Sequence, residues 1–117
     1  MNKPHALAAL AALAQDNRLD VFRLLVEAGP EGMPAGEVAK ALKLAPNTLT
    51  FHFDRLRDAG LVAVRRDGRS MIYTAQYDAM NALIAFLTKN CCRGAAEVCE
   101  QPAVGKPASA KRARVPA

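Results

Sequence analysis

The strongest constraint on this chain is a pattern in residues 34–60, PAGEVAKALKLAPNTLTFHFDRLRDAG, where two short apolar periodicities flank a break. Val38, Ala39 and Leu42 recur at helical spacing and predict a helix over residues 36–42. A second helix opens at Pro46, where a missing N–H costs nothing. Leu49, Phe53 and Leu56 then fall at i, i+4 and i+7 and make one buried stripe. Gly60 stops this helix, because glycine takes the left-handed conformation at little cost. On this reading Asn47, Thr48, Thr50, His52 and Arg55 face away from the core. Short hydrogen-bonding side chains, an imidazole and a guanidinium on opening helical turns suit the base edges and phosphates of a DNA major groove. A solvated polar face has the same composition, so the stretch alone leaves both readings open.

The segments on either side narrow the choice. Residues 6–15 carry Leu7, Leu10 and Leu13 among alanines and read as a helix too apolar to stay exposed, hence core or a subunit face. Asp16-Asn17 offers a turn and an N-cap. A helix over residues 18–28 follows, with Leu19, Phe22, Leu25 and Val26 inward; Gly29-Pro30 ends it and Glu31-Gly32 is loop. After the helix pair, residues 61–75 place two β-type segments around Asp67-Gly68, a strong hairpin signal because a type I′ turn needs φ > 0 twice. Arg65, Arg66 and Arg69 gather at the hairpin tip, and an arginine fork bonds two phosphate oxygens at once. A basic hairpin directly after a helix-turn-helix is the plan of a winged helix. Residues 76–90 form a last helix, with Met80, Leu83, Ile84 and Leu87 on one stripe for core or a dimer face. The expected fold is thus mainly α with a small β-hairpin: four helices, the hairpin, a fifth helix.

Composition agrees with one domain and limits its setting. The 117 residues suffice for one core, and the net charge of +5 favours an anionic partner. No apolar run approaches the roughly 20 residues of a membrane-spanning helix. The apolar start runs straight into an amphipathic helix and reads as structure rather than a leader. Three cysteines are too few and too odd for a closed disulfide framework, which points to the reducing cytoplasm. The folded domain is expected to span residues 1–99. Residues 100–117, rich in Pro, Ala and basic side chains, have almost nothing to bury and read as a disordered tail.

Asp16-Asn17-Arg18-Leu19, residues 48–62 (TLTFHFDRLRDAGLV) and the Arg65-Arg66-Asp67-Gly68-Arg69 turn together resemble the ArsR/SmtB family of metalloregulators. The resemblance covers roughly residues 5–92, with helix, turn, helix and wing in the right order. It implies a winged-helix repressor that is a homodimer through its first and last helices. It also implies a palindromic double-stranded operator, read here by residues 46–59, and release when a thiophilic metal or metalloid binds. One departure stands out: residues 33–38, MPAGEV, carry no thiol where well-known arsenic sensors of the family have theirs.

The thiols of this chain lie instead after the last helix: Cys91, Cys92 and Cys99. They can converge on one atom if the chain turns back at Gly94. Three soft thiolates suit a three-coordinate soft ion such as trivalent arsenic or antimony. Structural zinc almost always takes four ligands, and His5 and His52 are far off in sequence. Ordinary thiols or a redox pair are the competing readings. With the resemblance, arsenite (trivalent arsenic) comes first as inducer and antimonite second; no prosthetic group is called for. An enzyme is not expected, since neither a phosphate-cradling loop nor a Cys-x-x-Cys before a helix is present.

Overall fold

The computed structural model describes residues 1–91; Cys92, Cys99 and the 100–117 tail lie outside the described residues. Met1–Leu87 form one compact unit, and the chain from Thr88 belongs to a second. Within the second, the Cys91 N–H donates to the Thr88 carbonyl at 3.0 Å in a short turn.

Helix α1 (Lys3–Leu13) is capped by Asn2, whose side chain accepts from the His5 N–H at 3.0 Å. Its buried residues are Ala6, Ala9 and Ala12, so the expected leucine stripe is rotated: Leu7 and Leu10 are 57% and 39% exposed. Alanine turns inward because its small side chain fits where helices pack closely. Helix α2 (Asp16–Ala28) starts two residues before the expected Arg18 and is capped from Gln15 rather than from Asp16-Asn17, the Gln15 side chain accepting from the Arg18 N–H at 2.8 Å. Arg18 Nε donates to the Ala12 carbonyl at 2.8 Å, satisfying an end carbonyl of α1 and pinning the two helices together. Phe22 and Leu25 turn inward as expected; Val21, not anticipated, joins them, Val26 is partly buried, and Leu19 remains half-exposed.

A two-residue strand, β1 (Met33–Pro34), was not legible; it follows the expected Glu31-Gly32 loop, where the sequence suggested no strand. Gly32 makes its approach possible. The φ of Gly32 is +75°, and a Cβ there would come within 2.5 Å of the Tyr73 carbonyl oxygen. Helix α3 (Ala35–Leu42) ends as Lys43 takes a left-handed φ of 57°, and the Leu44 N–H returns to the Ala39 carbonyl at 3.0 Å. That tight turn sets up α4 (Pro46–Asp58), with Pro46 at its first position.

Strands β2 (Val62–Asp67) and β3 (Ser70–Ala75) form the hairpin, and the sheet runs antiparallel in the order β1-β3-β2. Asp67 pairs with Ser70, so the loop is Gly68-Arg69 rather than Asp67-Gly68. Only Gly68 has positive φ (65°), the pattern of a type II′ turn with glycine first. Helix α5 (Tyr77–Leu87) is tied to the end of α2 by the Tyr77 hydroxyl, which donates to the Val26 carbonyl at 3.1 Å. Phe53 of α4 stacks on Tyr73 of β3 with ring centroids 3.6 Å apart and planes within 5°. The core thus joins the second helix of the helix-turn-helix directly to the wing.

Candidate nucleic-acid interface

Four α4 side chains are buried: Leu49, His52, Phe53 and Leu56. They lie at i, i+3, i+4 and i+7, a stripe one position wider than the sequence suggested. His52 therefore does not face away from the core. It is 5% exposed, and neither ring nitrogen has a hydrogen-bond partner among the described residues. Burial, and secondarily the positive charge of Arg18, push its pKa below the ordinary histidine value. This corrects its assignment to the outward face: a buried neutral imidazole on α4 is a packing group and is not presented to a duplex.

The other candidates are where the pattern placed them. Asn47, Thr48, Thr50 and Arg55 are exposed on α4. Thr50 Oγ1 donates to the Pro46 carbonyl at 3.0 Å, which leaves its lone pairs to accept from a ligand. No acidic residue lies in the first turn of α4, so the partial positive charge of the helix start is not neutralised there. The Arg55 guanidinium lies over the Phe51 ring, 5.0 Å from its centroid. Phe51 itself is 50% exposed and is a residue to which the sequence reading assigned no role. The signal that would have found it is phase. Phe51 falls two residues after Leu49 and two before Phe53, on the opposite side of the helix.

On the wing, Arg65, Arg66 and Arg69 are all exposed. They do not act as one cluster, because successive strand residues point to opposite faces and Arg65 and Arg66 diverge. Arg65 Nη2 donates to the Glu31 carbonyl at 3.3 Å, turning this side chain back toward the loop before β1. Among the described residues, Arg66 and Arg69 form no ion pair, which leaves two cations at the turn available to an anionic surface.

Between α1 and α4 lies a cleft of about 510 Å³, lined by Ala8, Ala11 and Ala12 on one side and Phe51, Arg55 and Asp58 on the other, with Arg18 contributing. Of the thiol site only Cys91 is described, at intermediate exposure. Its meeting with Cys92 and Cys99 therefore falls outside the described residues. No helix among the described residues is long and apolar enough to cross a membrane.

A family profile described as a helix-turn-helix domain matches residues 13–65. Over 87 residues the chain is 33% identical to the HTH-type transcriptional regulator YgaV of Escherichia coli K12, a match covering 74% of this chain and 86% of YgaV. Among solved structures, an ArsR-like transcriptional regulator from Rhodococcus sp. RHA1 superimposes with a TM-score of 0.66 at 23% identity, covering 74% of this chain and 78% of that one. HlyU from Vibrio cholerae N16961 superimposes with a TM-score of 0.62 at 29% identity, covering 79% of this chain and 99% of its own.

Proposed function

Because this chain belongs with the HTH-type transcriptional regulators and has the winged fold of an ArsR-like regulator, we propose that it is an ArsR-family repressor that acts as a homodimer and lets go of its operator when trivalent arsenic ties Cys91, Cys92 and Cys99 together. The observation that carries the DNA half is the outward side of α4. Asn47, Thr48, Thr50 and Arg55 stand exposed there on a helix whose opposite side is fixed in the core. Arg66 and Arg69 on the wing supply phosphate contacts beside it.

The dimer rests on apolar side chains left in water on two neighbouring helices, Leu7 and Leu10 of α1 and Ile84 and Leu87 of α5. Burying them against a second copy removes that exposure. Two α4 helices about 34 Å apart would then fit successive turns of one duplex face. The inducer half rests on chemistry: three thiolates within nine residues of chain, directly after the helix assigned to the dimer face. Metalloid binding deprotonates the thiols as it forms, so they need no prior activation. Drawing the three thiols together alters the subunit angle and moves the two α4 helices out of register. A typical coupling of about 1–3 kcal/mol weakens operator binding some 5–150-fold.

The test is one titration. A labelled promoter fragment bound to the protein is challenged in parallel with arsenite, antimonite, zinc and peroxide. Release by arsenite, blunted in a Cys99→Ser variant that still binds DNA, is the expected result. Release by peroxide alone, reversed by a thiol reductant, would replace this reading with oxidant sensing through Cys91 and Cys92.

A further inference from the structure

We infer that Phe51 is a base-reading residue of α4, its ring taking the C5-methyl group of a thymine in the major groove; this rests on the DNA-binding reading above. The outward side of α4 is otherwise polar: Asn47, Thr48, Thr50, Asp54, Arg55, Arg57 and Asp58 are its exposed partners. Phe51 is the one large apolar side chain of α4 left in water, at 50% exposure. It stands one turn after Asn47, opposite the buried stripe, within the first half of the helix. That half supplies base contacts when a recognition helix lies in the groove.

The chemistry of the ring selects its partner. Among the four bases only thymine shows a methyl group in the major groove, and apolar side chains read it by contact. One side of the Phe51 ring carries the Arg55 guanidinium at 5.0 Å, and the His52 ring meets it edge-on at a centroid distance of 5.8 Å. These neighbours restrain the ring before DNA arrives, so little side-chain freedom remains to be lost on binding. Arg55 makes no ion pair among the described residues, so the ring also holds a cation at the edge of the reading face. Phe51 thus reads a methyl group and orients Arg55 toward a neighbouring phosphate or base edge.

The experiment begins with the full chain selecting duplexes from a random library. Each thymine of the enriched half-site is then replaced in turn by deoxyuridine, which keeps the pairing and lacks only the methyl. We expect one replacement to weaken wild-type binding about four-fold, the worth of one buried methyl group. The same replacement should leave Phe51→Ala unaffected and Phe51→Leu partly affected. Phe51→Ala should keep the wild-type melting temperature and oligomeric state. The inference is overturned if the enriched duplex binds equally well with every thymine replaced, or if Phe51→Ala remains as sensitive to the replacement as wild type. A changed oligomeric state in Phe51→Ala would likewise overturn it, by placing the ring in a protein contact. Enrichment of no duplex at all overturns the DNA-binding reading itself, a result distinct from the others.

Discussion

His52 shows how one buried group ties stability to pH. The unfolded chain returns it to an ordinary pKa near 6.5, whereas the folded chain holds it lower through burial and through Arg18. The stability that depends on a neutral His52 is therefore complete above the unfolded value and is lost as pH falls through the folded one. Urea unfolding between pH 7.5 and 5 should show this decline. His52→Leu, which cannot take up the proton, should flatten it. The same residue marks the limit of periodicity. Leu49, Phe53 and Leu56 gave the helix and its inner side, but a core-facing stripe is wider than three positions, and a histidine within it looks polar. Phe51 failed in the opposite direction, apolar by type and outward by phase.

At the scale of elements, the wing makes a quantitative prediction. Arg66 and Arg69 are exposed at the turn and are proposed to meet phosphate; each such contact removed lowers the steepness of the salt dependence by about one. In a dimer, Arg66→Ala or Arg69→Ala should each lower that slope by about two, weakening all sequences alike; anisotropy titrations across a salt series measure it. The helix-turn-helix and hairpin were legible because their signals are local: Pro46 starts α4, Gly60 follows it, and Gly68 makes the turn. Strand β1 was not, since two residues carry no period and Pro34 argues against a strand; its pairing to Tyr73 and Ile72 is a long-range event. In α1 the leucines at 7, 10 and 13 and the alanines at 6, 9 and 12 share one spacing. Only the closeness of the neighbouring helices decides that the alanines turn inward. The thiol site had a clear chemical signal in its three sulfurs, but no periodicity that could place them in space.

For the whole molecule, the apolar side chains of α1 and α5 decide the assembly. Leu87 is 57% exposed and Leu7 equally so, and a charge at either position costs a separated chain little. Leu87→Glu should therefore stay folded by circular dichroism yet sediment as a smaller species at concentrations where wild type is paired. Its melting temperature should lose the concentration dependence that association confers. Within each copy, the Phe53–Tyr73 stack has a consequence for how the protein leaves a duplex. Helix α4 and the basic hairpin share one packed joint, so on the DNA-binding reading proposed above neither lifts away while the other stays seated. Departure from each half-site is then a single event, and a rapid-mixing record of it should follow one exponential.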